Sequence, residues 1–192
     1  GGVVREIGGP EAGVGQLISP RAVAVNGEGD IIVTDKGDED DEGRVVVYRG
    51  DGTFVRSFGA GQLGQAWGVA VGADGRVVVA DHGNCCVQVF SAEGEHVMTV
   101  GAKGEGPGQF VESFDVAVSA HGEILVVDVG VNNPRHDMQL FSPEGVFLQR
   151  WGAGDISGVD HLIPLGVCVD ADGRVFVRAR AGEYGVDVLM LV

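Results

Sequence analysis

A chain of 192 residues with 44% apolar content is long enough for one domain with a real core, while a formal charge of −15 and only 13 scattered lysines and arginines disfavour nucleic acid or an anionic membrane as partner. Glycine, at 34 residues, exceeds ordinary usage without a collagen period, which marks it as turn material between apolar runs. No apolar run approaches the roughly 18 residues of a membrane span. No basic-plus-apolar leader opens the chain, and Cys85, Cys86 and Cys168 do not make a disulfide framework, so a reduced, cytoplasmic protein is expected.

The elements follow in chain order. An orphan run, Val3–Ile7, has the mixed character of an outer strand. Unit one carries an apolar first strand at Pro20–Val25, a turn at Glu28-Gly29 and a second strand at Asp30–Asp35. An acidic loop, Lys36–Glu42, precedes its third strand, and a turn at Asp51-Gly52 leads to Phe54–Phe58. Unit two reads Trp67–Val71, Arg76–Asp81, Cys86–Ser91 and Glu95–Val100, with tight turns at Asp74-Gly75 and Glu93-Gly94 where glycine accepts positive φ. Unit three has Ser113–Val118, Glu123–Asp128, a longer loop at Val129–His136, then Met138–Phe141 and Val146–Arg150. Unit four has Pro164–Val169, Arg174–Ala179 and a closing run at Val186–Val192.

The second strands start at 30, 76, 123 and 174, so the units repeat at 46, 47 and 51 residues. Several short strands per unit at this period predict an all-β propeller of four-stranded antiparallel blades, with residues 1–192 forming one domain or part of a larger ring. The small, apolar first strands are expected to be the buried inner edge at the crowded axis, and the more polar fourth strands the wetter rim. Val3–Ile7 is positioned to supply the missing outer strand of the last blade, which would hide two sheet edges. The alternative is a piece of a longer array whose neighbours supply the missing blades.

The units resemble NHL repeats. In unit two the resemblance rests on Gly68-Val-Ala-Val71, Gly75-Arg-Val-Val-Val-Ala-Asp81, Asn84-Cys-Cys-Val-Gln-Val-Phe90 and Glu93-Gly94; in unit three, on Gly106-Pro-Gly-Gln-Phe110 and Met138-Gln-Leu-Phe141; in unit one, on Gly15-Gln-Leu17 and Pro20. The family arginine before the third strand is Arg44 in unit one but Cys86 and Asp137 in units two and three, and the aspartate ending the second strand gives way to Ala179 in unit four. The resemblance implies a protein-binding platform, often the partner-recruiting domain of tripartite-motif ubiquitin ligases. Some relatives bind RNA through a basic face, which this charge disfavours. Related propellers include metal-dependent hydrolases and lyases, the enzyme alternative.

Candidate residues follow from these positions. Loops leading into the first strands, and those between second and third strands, are expected to share one face, bringing together Trp67, His82, Asn84, Phe114, Asn132, Asn133, Arg135, His161, Arg180 and Tyr184. Aromatics and arginine among polar loop residues are common interface anchors, although Trp67 and Phe114 also suit packing between blades. Asp35, Asp81 and Asp128 recur at one blade position. They would either ring a cation with oxygen ligands or accept backbone N–H bonds in their own turns; the second reading is preferred, and no metal or cofactor is expected. His82-Gly-Asn-Cys85-Cys86 lacks the second ligand pair of a zinc site, and Lys36–Glu42 lacks EF-hand spacing. No catalytic serine elbow or phosphate loop appears. A protein partner, basic by charge complementarity, is the expectation that net charge supports.

Overall fold

The computed structural model describes residues 5–38, 43–130, 136–152, 155, 162–181 and 185–191, with Leu162, Ala181 and 185–191 described by backbone alone. Strands β1 (Pro20–Val25), β2 (Ile31–Asp35), β3 (Gly43–Tyr48) and β4 (Phe54–Leu63) form the first sheet. The second comprises β5 (Ala66–Val71), β6 (Val77–Asp81), β7 (Cys86–Phe90) and β8 (His96–Val100). A short parallel pair, β9 (Ala102–Lys103) and β10 (Gln109–Phe110), leads to the third: β11 (Ser113–Val118), β12 (Ile124–Val129), β13 (His136–Phe141) and β14 (Phe147–Gly152). The fourth has three strands among the described residues, β15 (Leu162–Val169), β16 (Val175–Ala181) and β17 (Gly185–Leu191). Each of these four sheets is an antiparallel meander in strand order, a propeller blade, and strand limits fall within a residue or two of those predicted except in β4, which runs five residues past the expected Phe58.

The turns explain the meanders. Gly29, Gly75, Gly122 and Gly173 close the first hairpin of the four blades with φ between 81° and 85°, a region that other residues enter at a cost. The side-chain oxygens of Asn26, Asp74, Ser119 and Asp170 accept backbone N–H bonds two or four residues ahead, holding each turn from within.

The core lies between blades. Val45, Val47 and Ile32 of the first blade meet Val69, Val77, Val79 and Phe90 of the second. Val78, Val87 and Val89 of the second meet Val116, Ile124, Val126 and Phe141 of the third, and Val127 and Met138 of the third meet Val177 and Ala179 of the fourth. This contact uses strand alternation: in β5, Val69 and Val71 face the blade before, and Ala70 faces the blade after.

Two expectations need correction. The most buried strands are the middle ones (every residue of β6, β7 and β12 is buried), whereas β1 is largely exposed. Middle strands have paired neighbours on both edges, while each first strand lies at the edge of its sheet. Val23 and Val25, the counterparts of Val69 and Val71, are 65% and 62% exposed, with no blade packed on that face among the described residues. The N-terminal run, described only over Arg5–Ile7, forms no strand there, and the neighbour of β17 among the described residues is β16. Its described residues lie instead against the first blade, where Ile7 packs beside Val33, Val46 and Tyr48.

Candidate functional site

The recurrent aspartates are fully committed. Asp35 accepts the backbone N–H groups of Ile18 (3.1 Å) and Ser19 (2.6 Å), and Arg44 adds Nε and Nη2 at 3.2 and 3.0 Å. Asp81 accepts Gly64 N (3.0 Å) and Gln65 N (3.3 Å), with Asn84 Nδ2 at 2.7 Å in place of an arginine. Asp128 accepts Val111 N (2.9 Å) and Glu112 N (2.7 Å), and burial raises its pKa above the usual carboxylate range. Backbone donors to all three come from the segment leading into the first strand of the same blade, and Asp81 also accepts Asn84 N (3.3 Å) from the turn beside it. Each carboxylate therefore clamps the start of its blade to the end of the second strand. At the position of Arg44 the third blade carries Asp137, whose charge Arg150 takes at 3.1 Å. Among the described residues no three His, Cys, Asp or Glu side chains group as a metal site.

A different set of side chains converges beside the first strands. Residue pairing skips at the start of each: at Arg21 in β1, at Trp67 and Gly68 in β5, at Phe114 in β11 and at Leu165 in β15. Such bulges turn one side chain out of the regular alternation. The four turned residues line a single cleft of about 320 Å³ together with Asp115 and Arg178. Trp67 is its centre: the Phe114 ring lies 4.6 Å away, the His82 ring 4.9 Å away, and the Arg21 guanidinium sits 4.8 Å from the indole centroid. The arrangement combines offset aromatic contact with a cation over an indole face.

Backbone contacts fix this geometry. Thr34, fully buried, donates its hydroxyl to the Trp67 carbonyl and accepts Ala22 N at 3.0 Å, tying β2 to β5. Asp115 accepts Val167 N at 3.0 Å, tying the third blade to the fourth; burial pushes its pKa up. Gly68 admits Asp115 closely, since a Cβ there would lie 2.6 Å from Asp115 Cα. Arg178 donates to the Leu165 carbonyl at 2.9 Å.

Of the predicted contact residues, the structure brings together Trp67, His82 and Phe114, but places Trp67 and Phe114 at strand starts rather than in loops. Both are half-buried, and Phe114 also packs against the core between the third and fourth blades. Asn84 is exposed, with its amide engaged by Asp81 and the Gln62 carbonyl. Arg180 is exposed on β16, outside the cleft lining. Asn132, Asn133, Arg135, His161 and Tyr184, and the acidic stretch at 39–42, lie outside the described residues. Sequence reasoning missed Arg21, Asp115, Leu165 and Arg178. Only the shared second position of the four first strands, Arg21, Trp67, Phe114 and Leu165, could have signalled the site.

Stacked four-stranded meanders with a bulge-lined cleft define a β-propeller fold. A family model for the NHL repeat matches residues 63–90, which run from the end of β4 to the end of β7, and fold and repeat together fit an NHL-repeat β-propeller. The chain is similar in fold to a structure from a nidogen/laminin complex (15% identity, TM-score 0.66, covering 83% of this chain and 59% of that one). It is also similar to a gluconolactonase from Xanthomonas campestris (17%, 0.55, 91% and 76%) and to a virginiamycin B lyase from Staphylococcus aureus bearing quinupristin (12%, 0.60, 88% and 55%). The chain thus spans little more than half the length of the first and the last of these. No curated protein sequence matches it.

Proposed function

We propose that this chain, as one domain over residues 1–192, is a protein-recognition platform whose contact face is built around Trp67. The observation that carries this reading is the half-buried indole held between Arg21, Phe114 and His82 at the lip of a cleft. Preorganised aromatic and arginine anchors of this kind supply much of the energy at protein interfaces. The fold likeness to a protein in a nidogen/laminin complex supports the same reading. Asn84 and Arg180, together with Asn132, Asn133, Arg135, His161 and Tyr184, extend the face in this proposal.

In its finer form the recruited protein is the substrate of a tripartite-motif-type ubiquitin ligase whose catalytic parts lie elsewhere. The NHL repeat supports that form. A cytoplasmic setting is part of it, supported by free thiols at Cys85, Cys86 and Cys168. Similar folds in a gluconolactonase and a lyase raise the enzyme alternative. Its best carboxylates, Asp35, Asp81 and Asp128, already hold backbone N–H groups and do not fit a metal centre.

Cross-linking of the whole chain to proteins of a cell extract tests the proposal. A partner joined to the unaltered chain and lost from both Trp67→Ala and Phe114→Ala, but kept by a Val97→Ser control on the exposed β8 surface, is the expected result. A partner indifferent to Trp67 and Phe114 would overturn this face as the binding site.

A further inference from the structure

Two of the 13 basic residues of this acidic chain, Arg21 and Arg178, line the one cleft at Trp67. The other arginines that carry ion pairs here, Arg44, Arg76, Arg150 and Arg174, each face an aspartate at 2.5–3.1 Å. Arg21 has no carboxylate partner among the described residues and rests on the indole ring alone. Arg178 has one donor on the Leu165 carbonyl. The nearby carboxylate, Asp115, accepts the backbone N–H of Val167 and also feels the charge of Arg178, which leaves Arg21 as the arginine without a carboxylate neighbour in the cleft. Trp67, which lines the same cleft, has a buried Nε1–H that meets no acceptor among the described residues.

Donors of this kind call for an acceptor with two oxygens. A guanidinium matches carboxylate and phosphate alike. Two observations select the carboxylate. The cleft already contains Asp115, and the whole chain carries −15, so a doubly charged group meets about twice the repulsion of a singly charged one. The lining also includes the apolar side chains of Trp67, Phe114 and Leu165, which suits a hydrocarbon neighbour of the anion rather than a hydrated phosphate. A cleft of about 320 Å³ is at the small end for ligand sites and holds a residue or two.

The geometry points to a site for an acidic peptide segment: a side-chain carboxylate taken by Arg21 and Arg178, with an adjacent apolar side chain lying on Trp67 and Phe114. The assignment rests on the recognition reading above and names the chemistry of the partner's anchor. It runs against the basic partner that net charge alone suggests, because the cleft sets two arginines against one carboxylate, Asp115.

The test uses the intact chain and two capped dipeptides, acetyl-Phe-Glu-amide and acetyl-Phe-Gln-amide, followed by the indole N–H resonance of Trp67, identified by its loss in Trp67→Phe. A saturable shift is expected with the Glu peptide. Affinity is expected to fall about tenfold for the Gln peptide, and about tenfold for the Glu peptide on Arg21→Gln. Arg21→Gln is the informative variant, since Arg21 holds no backbone group and its thermal melt should match that of the unaltered chain. Arg178→Gln also releases the Leu165 carbonyl and serves only as support.

Equal affinity for the two peptides would overturn the carboxylate site while leaving recognition at Trp67 standing. Inorganic phosphate or acetate alone reproducing the full shift would also overturn it, reducing the cleft to an unspecific anion site. Absence of any saturable shift with either peptide would overturn it as well. In every case the recognition reading is judged separately, by whether capture of a protein partner depends on Trp67.

Discussion

Replacing Asp128 separates the clamp from the charge. Its Oδ1 accepts both Val111 N (3.1 Å) and Glu112 N (2.7 Å), and the residue is 3% exposed. Asp128→Ala leaves two N–H groups in a dry region without an acceptor. Each such group costs about 1–3 kcal/mol, and partial relaxation brings the expected loss to about 3 kcal/mol. For a chain of this size that lowers the melting temperature by about 6–12 °C. Asp128→Asn keeps an oxygen at the Oδ1 position. Because burial already disfavours the charged carboxylate, the neutral amide should cost less than half as much. Melting followed by circular dichroism at neutral pH, with the exposed Asp172→Ala as reference, measures all three. An Asp128→Ala melt within 2 °C of the unaltered chain, or an Asn variant worse than the Ala one, would refute the clamp.

Other outcomes follow from the same structure. Gly68→Ala should destabilise by about 1–3 kcal/mol in a denaturant titration, because the new methyl meets the backbone of Asp115 and not a yielding side-chain tip. Asp115 and Asp128 have folded pKa values raised by burial, so the stability they contribute is present below the ordinary carboxylate pKa and is lost as pH rises through the raised values. Asp115→Asn should flatten part of that fall in a series of melts from acidic to neutral pH. Arg44→Ala strips a buried carboxylate of its charge partner and should cost about 1–3 kcal/mol by the same melt. A thiol reagent at mildly alkaline pH should label Cys168, which is exposed, well before Cys86, whose thiol is buried and pushed up to about 12; equal rates would contradict the packing of β7.

Much of the fold was legible because each blade repeats a local code. Asp74-Gly75 and Asp172-Gly173 mark hairpins through backbone chemistry that needs no tertiary partner, and the Val-Ala-Val pattern of β5 states which side chain faces which neighbour. The role of Asp81 was half legible: an aspartate at a strand end announces hydrogen bonding to backbone, but the donors, Gly64 and Gln65, lie in a segment that only folding brings near. The cleft was least legible. Trp67 and Phe114 stood out by type, whereas Arg21, Leu165 and Arg178 look ordinary in their own strands and acquire a role only when four bulges from four blades face one volume. The path of Arg5–Ile7 was misread for the opposite reason. A strand-like run fixes local character, but the surface it covers is settled by competition, and the apolar group around Tyr48 holds Ile7.

The aspartate clamps also bear on how such a chain reaches its shape. Each joins residues only 16 or 17 positions apart, so the loop it closes is short and entropically inexpensive. Hairpins within a blade are shorter still, and the interblade layers join units that are consecutive in sequence. Contacts that stay within a blade or join it to the next favour assembly one blade after another as the polypeptide lengthens. A nascent second blade can lock its own beginning in place before the third has been made, and the half-finished molecule offers its next neighbour a docking layer that is already formed.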